Sequence, residues 1–163
     1  VRGVRGFPLY RPDHWAFEGT GLGYGDLLGE PSGAFGYETD GLDYIIRHGL
    51  PEPAEGISVP EDLTILALGL ATTGEVPGPE EPDYPAFIGD METKFIAQLR
   101  YGTDSAQACA DTLRGNGMIV EFSKGTGKVF HAGSCNWVAG LTGIDPAIEQ
   151  VTRTVLRQYL ANG

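Results

Sequence analysis

The chain is poor in cysteine, in basic residues and in long apolar runs, and each shortage excludes a class of protein. Its 163 residues include only two cysteines, too few for the disulfide framework of a small secreted domain. The longest apolar run, residues 63–71, is far shorter than the roughly 20 residues of a membrane span. With Lys+Arg 11 against Asp+Glu 22, a basic surface for nucleic acid is missing. We therefore expect a cytoplasmic protein without a membrane segment or a nucleic-acid partner.

The sequence also begins without methionine and without a secretory leader. Val1 is the first residue, and no basic segment with an apolar core follows it. The length suits one domain of ordinary size. We expect residues 1–163 to form a single domain or the C-terminal portion of a larger one.

An acidic region occupies the middle of the chain. Residues 51–93 contain no Lys, Arg or His, and seven of the 11 prolines lie there. Within this region, the continuous apolar run 63–68 is typical of a strand buried on both faces. The acidic and Pro-rich residues after it predict a mobile loop over about 74–93.

Other patterns predict strands near the N-terminus and a hairpin near the C-terminus. Aromatic and branched residues next to glycines favour short strands at 14–17, 35–38 and 42–46. Residues 118–122 and 128–132 flank a five-residue loop that contains glycine, which is typical of a β-hairpin.

Two segments carry the spacing of amphipathic helices. The first is 104–113, with Cys109 on the face expected to be buried. The second begins at Asp145 and Pro146, an N-cap and a first-turn proline, and carries an apolar stripe that includes Ile148 and Val151. Strands interleaved with helices predict an α/β fold, a layered sheet with flanking helices and Gly/Pro-rich loops.

Three side chains are candidates for chemistry. Glu18 ends an aromatic segment and is followed by glycines, so burial among Trp15 and Phe17 would suit a metal ligand or a general base. Its alternative role is a carboxylate that caps the following loop. Glu38 has the same two alternative roles as Glu18. His131, on the second hairpin strand, either lines a site or is a structural imidazole.

Cys135 is a fourth candidate, of a different kind. It follows a strand, where a nucleophile elbow would place a reactive side chain, but Trp137 stands where that turn needs a small residue. A cysteine nucleophile also needs a base, and no histidine follows His131. A packed small side chain is therefore the main alternative.

Several segments together resemble the C-terminal part of the large (β) subunit of the N,N-dimethylformamidase family. The resemblance rests on the aromatic-Phe-Glu-Gly segment, the Gly-Tyr-Glu-x-Asp segment, a buried strand, a hairpin ending in Gly-Ser-Cys-Asn-Trp, and the last helix. These segments are residues 11–22, 36–43, 65–68, 127–137 and 151–156. They occur in the family's order over nearly the whole chain.

The resemblance implies a hydrolase that cleaves the C–N bond of small, formamide-like amides. It also implies a glutamine-amidotransferase-like region, assembly with a small helical subunit, and a mononuclear iron held by two tyrosines and a glutamate. Glu18 is the residue we expect to be that glutamate, with the other ligands on other segments. The tyrosines Tyr24, Tyr37 and Tyr44 do not stand in the family's ligand context.

Three hypotheses about function follow. In the first, the chain is part of a metal-dependent amidohydrolase in which a metal-activated water attacks the amide carbonyl, with Glu18, Glu38 and His131 as its site residues. In the second, it is a non-catalytic scaffold or oligomerisation domain of a larger assembly. In the third, it belongs to a cysteine-dependent, amidotransferase-like enzyme that uses Cys135.

Overall fold

A computed structural model describes residues 5–36, 38–71, 89–113, 115–143 and 145–161, and these residues form a mixed α/β structure. The strands are β1 (Phe7–Pro8), β2 (Leu27–Leu28), β3 (Tyr44–Arg47), β4 (Leu50–Pro53), β5 (Thr64–Leu70), β6 (Asn116–Lys124) and β7 (Gly127–His131). The helices are α1 (Gly89–Tyr101), α2 (Ala106–Thr112), α3 (Trp137–Thr142) and α4 (Pro146–Ala161). None of the helices in these ranges is both long and apolar enough to cross a membrane.

The sheets are small and antiparallel. The largest has the order β5-β6-β7, while β1 pairs with β2 and β3 pairs with β4. The hairpin predicted between β6 and β7 is confirmed, but its turn has two residues and not five, because Lys124 pairs with Gly127. Gly125 opens that turn with a φ of 61°, a conformation that glycine adopts without steric cost.

The three-stranded sheet has a core on each face. The strand predicted at 63–68 is β5, and it is buried along most of its length. A β-bulge between Ile65 and Ala67 lets Leu66 and Ala67 both join the core that includes Ile148 and Val151 of α4. Ile65 and Leu68 pack on the opposite face, together with residues of β6.

Two of the N-terminal strand predictions are wrong. Residues 15–17 form a 3₁₀ helix, whose Ala16 N–H donates to His14 Nδ1 at 3.4 Å. This local cap favours a helical turn over an extended strand, and the turn buries Ala16 and Phe17. Residues 35–36 and 38 form no strand, and Tyr37 lies outside the described residues. The prediction at 42–46 is confirmed in part by β3.

The predicted acidic loop and the helix α1 overlap. Most of 74–93 falls on residues 72–88, which lie outside the described ranges, but residues 89–93 are already helical. Helix α2 matches the helix predicted at 104–113, and Ser105 caps it. Cys109 is half-buried and not part of the core, because α2 buries Ala108 and Thr112 instead.

The predicted C-terminal helix is confirmed as α4. Asp145 is its N-cap, with Oδ1 accepting from the backbone N–H groups of Ala147 at 3.1 Å and Ile148 at 3.3 Å. Ser32 donates to the other oxygen of Asp145 at 2.9 Å, which ties the start of α4 to the N-terminal region. This cap is buried, so it fixes the helix against the sheet.

Candidate functional site

The segment around Glu38 joins the end of the β6-β7 hairpin. Thr39 forms an isolated antiparallel bridge with Ser134. On either side of it, the Asp40 N–H donates to Gly133 O at 3.0 Å, and the Cys135 N–H donates to Glu38 O at 3.1 Å. This register sets Glu38 opposite Cys135, on the same face of the extended segments as Asp40.

Gly133 allows this junction to form. Its φ is 71°, and a Cβ at this position would lie 2.1 Å from the carbonyl oxygen of Met118. The Met118 N–H donates to Asp40 O at 2.9 Å, so the three chain segments approach one another closely here. A side chain at 133 would clash with the backbone of β6 and would thereby disturb the hydrogen bond that Asp40 donates to Gly133 O.

His131 lies beside this junction. Its Nε2 is 3.5 Å from Oδ2 of Asp40, and both side chains are exposed to solvent. Glu38 and Cys135 are exposed as well. Glu38, Asp40, His131 and Cys135 are thus exposed side chains on the segments that meet at this junction, and we call these four residues the junction cluster, in which His131 and Asp40 are the pair in side-chain contact.

Asp40 is a member of this cluster that the sequence analysis did not select. The sequence feature that could have identified Asp40 is the spacing Glu38-x-Asp40, because alternate residues of an extended segment point to the same side. A carboxylate beside an imidazole orients the ring. Chemically, the cluster offers two carboxylates, an imidazole and a thiol.

Glu18 is exposed, so the expected burial of its side chain among Trp15 and Phe17 is wrong. It ends the 3₁₀ helix, and its backbone oxygen accepts from Gln150 Nε2 of α4 at 3.1 Å. The following turn is closed by the Thr20 N–H, which donates to Phe17 O at 3.1 Å. The backbone bonds thus leave the carboxylate of Glu18 directed to solvent.

A second polar cluster lies at the start of the same 3₁₀ helix. His14 Nε2 is 3.0 Å from Oε2 of Glu121, and both side chains are largely buried. The hydroxyl of Tyr159 on α4 is buried without a hydrogen-bond partner. Burial, and then the charge of Glu121, raise the pKa of Tyr159 above its ordinary value. Sequence reasoning missed this cluster because its members lie on three distant segments.

The two clusters face opposite sides of the three-stranded sheet. Glu121 pairs with Phe130, which packs in the core beneath α4, whereas His131 pairs with Val120 of the other core. Glu18 belongs to the 3₁₀ helix that packs on α4. The structure therefore places Glu38 and His131 on segments that meet at the junction, and it places Glu18 on the 3₁₀ helix that packs on α4.

A complete metal site is not formed by the part of the chain that the structure describes. No three side chains of His, Cys, Asp or Glu there lie close enough to hold one ion. Tyr24 donates its hydroxyl to Gly49 O at 2.6 Å, so it is engaged elsewhere. Cys135 Sγ lies 4.0 Å from Oδ1 of Asn136, while the His131 imidazole contacts Asp40.

Comparison with known proteins identifies the family. No curated protein and no solved structure matches the chain. The family model described as "N,N-dimethylformamidase beta subunit-like, C-terminal" matches residues 2–152, which include every segment on which the resemblance rested except the end of the last helix. The chain belongs to the N,N-dimethylformamidase beta subunit-like, C-terminal family.

Proposed function

We propose that this chain is the C-terminal part of an amide hydrolase that cleaves the C–N bond of small, formamide-like substrates. The observation that carries the proposal is the family match over residues 2–152. The rest of a large subunit and a small subunit complete the enzyme. In the complete subunit, the β5-β6-β7 sheet continues into a layered, glutamine-amidotransferase-like arrangement.

The junction cluster supports a direct part in the reaction. Amide hydrolysis needs a base that takes a proton from the attacking water and an acid that protonates the leaving nitrogen. Glu38 is suited to the first role, and His131, oriented by Asp40 at 3.5 Å, is suited to the second. Because these side chains are exposed, a substrate held by neighbouring segments can reach them.

An iron is part of the proposal only through the family resemblance. The described residues do not fit a complete iron site, since no three suitable side chains converge and Glu18 is exposed and separate from the junction cluster. We assign the metal ligands to other segments, with Glu18 as the single candidate from this chain. No step of the chemistry above passes through the metal.

The test is an activity assay on the native assembly that contains this chain. Release of ammonia from formamide and of dimethylamine from N,N-dimethylformamide is measured for the wild type, Glu38→Gln and the matched control Glu61→Gln. Glu61 is also an exposed glutamate but lies outside the junction cluster. We expect kcat to fall by roughly 100-fold or more in Glu38→Gln, as for loss of a general base, with Tm unchanged. Glu61→Gln should match the wild type.

Other outcomes separate the alternatives. Absence of amine release by the wild-type assembly would overturn the hydrolase proposal. Full activity in both Glu38→Gln and Glu18→Gln, with unchanged iron by elemental analysis, would favour a scaffold. Loss of activity in Cys135→Ser with retention in Glu38→Gln would favour the cysteine-dependent alternative.

A further inference from the structure

The three-stranded sheet has two outer edges, and the described part of the chain closes one of them. At the outer edge of β5, Leu9 forms an isolated antiparallel bridge with Ala67. Beside this bridge, the Tyr10 N–H donates to Leu66 O at 3.0 Å. Strand β7 forms the other edge, and among the described elements β6 is its main packing partner. A strand that extends this sheet would therefore pair with β7.

The register of the hairpin shows which backbone groups of β7 point outward. Lys124 and Gly127 close the two-residue turn as a hydrogen-bonded pair, and bonded and non-bonded pairs then alternate along the strands. Counting from Gly127, every second residue of β7 bonds to β6. Lys128 and Phe130, which lie between these residues, direct their N–H and C=O groups away from β6. These are the groups that a further strand would use.

Asp62, two residues before β5, supports this register and affects the protection of the edge. It accepts a hydrogen bond from the Ser123 N–H at 3.1 Å, so this N–H points away from Lys128, the residue paired with Ser123. The Lys128 Nζ lies 3.5 Å from Oδ2 of Asp62. A lysine is one of the devices that keep an edge strand from pairing. Here its charge is held on the side of β5, away from the outer edge of β7.

The family match indicates which molecule supplies the further strand. The chain corresponds to the C-terminal part of a beta subunit, so the rest of that subunit is the nearest source. A second copy of this chain fits less well. Two-fold pairing of the whole β7 strand would set each Lys128 beside Phe130 of the copy, a charged group beside an apolar one. Two copies with a net charge of -11 would also repel each other.

We propose that a strand from the rest of the large subunit pairs with the outer edge of β7. Phe130 is half-buried against the core that includes Ile148, so the added strand carries an apolar side chain beside it. His131 points to the opposite face, and a neighbour on a paired strand lies about 5 Å away. The added strand therefore brings a side chain of the large subunit next to His131 of the junction cluster. This inference deepens the proposed function and rests on it for the existence of the rest of the subunit.

The first experiment measures amide hydrogen exchange in the native assembly, by mass spectrometry at single-residue resolution. Lys128 and Phe130 are compared with Val129 and His131, which bond to β6, and with the exposed turn residues 125–126. The amides of Lys128 and Phe130 should exchange roughly 100-fold more slowly than those of the turn, close to the rates of Val129 and His131. Exchange of the Lys128 amide as fast as that of the turn would overturn the proposal.

The second experiment identifies the neighbouring strand by photo-cross-linking in the same assembly. Lys128→p-benzoylphenylalanine should cross-link to a peptide of the large subunit outside the 163 residues. The matched control is the same replacement at Lys94, an exposed lysine of α1, which should not yield that peptide. A cross-link from position 128 to a second copy of this chain, to the small subunit or to no peptide at all would contradict the proposal.

The two measurements separate this inference from the amide chemistry. Slow exchange at Lys128 with the expected cross-link, in an assembly that releases no amine, would support the strand pairing and overturn the hydrolase proposal. Fast exchange at Lys128 in an assembly that does release amine would overturn the strand pairing and leave the hydrolase proposal in place.

Discussion

Helices α1 and α4 are both amphipathic, yet they use their apolar residues in opposite ways. Helix α4 buries Ile148 and Val151 against the sheet and begins at a buried cap. Helix α1 exposes Met91, Phe95 and Leu99, and it has α2 as its main neighbour. The comparison teaches that the sheet and α4 bury their large apolar residues against each other, whereas α1 and α2, which pack on each other as a helical hairpin, leave the large apolar residues of α1 at the surface of the described chain.

The largest test of this contrast replaces one leucine in each region. Leu66 is fully buried, so Leu66→Ala should lower the free energy of unfolding by about 2–5 kcal/mol. Leu99 is mostly exposed, so the same change there should alter it by less than about 0.5 kcal/mol. Urea unfolding measures both values. Equal losses would show that α1 is part of the same core.

A smaller test removes one helix cap from each region. Asp145→Ala deletes two hydrogen bonds to the N-terminal N–H groups of α4 and leaves the Ser32 hydroxyl without its acceptor. We expect a loss of about 2 kcal/mol in global stability, the upper end for a cap. Ser105→Ala removes only the bond to the Ala108 N–H at the start of α2.

For Ser105→Ala we expect the local stability of helix α2 to fall by about 1 kcal/mol. Because the hairpin has little contact with the sheet, that loss should raise amide exchange in α2 while leaving the global unfolding midpoint almost unchanged. Hydrogen exchange measures the local loss in α2, and urea unfolding on the same samples measures the global stability. A global loss as large as that of Asp145→Ala would show that hairpin and sheet unfold together.

Elements with a strong local signal were predictable from the sequence. The apolar run of β5, the hairpin of β6 and β7, and the Asp145-Pro146 start of α4 each combine a periodic pattern with a local boundary residue, and the structure has all three. Helix α1 was missed because its acidic and Pro-rich surroundings suggested a loop. The 3₁₀ helix was missed because the His14 cap outweighs the strand preference of Trp15 and Phe17.

The candidate site was predictable only where its residues share a strand or a neighbouring pair of segments. Glu38 and His131 were chosen from separate motifs, and the Thr39-Ser134 bridge explains why the segments that carry them meet. The exposure of Glu18 could not be read from its aromatic neighbours, because backbone hydrogen bonds of a turn decide where that side chain points. Nothing local in the sequence connects His14 with Glu121 or Tyr159.

The smallest expected effect concerns the alkaline stability of the α4 region. Burial and the charge of Glu121 raise the pKa of Tyr159 in the folded state. The folded protein therefore holds the phenol proton of Tyr159 more tightly than the unfolded chain does. The corresponding stability is fully present below the ordinary tyrosine value of 10.0 and is lost as pH rises through the higher folded value. Tyr10, whose pKa is also raised by burial and by Tyr24 and Tyr44, adds to the same loss.

Tyr159→Phe removes one of these two contributions. It should make the fall in unfolding free energy above pH 10 shallower, without abolishing it, because Tyr10 still titrates. At neutral pH it should be neutral or slightly stabilising, since the deleted hydroxyl is buried and has no partner. Tyr101→Phe on the exposed hairpin helix is the matched control and should reproduce the wild-type pH profile. Urea unfolding at several pH values checks this, and a Tyr159→Phe profile as steep as the wild type would place the alkaline sensitivity outside the α4 region.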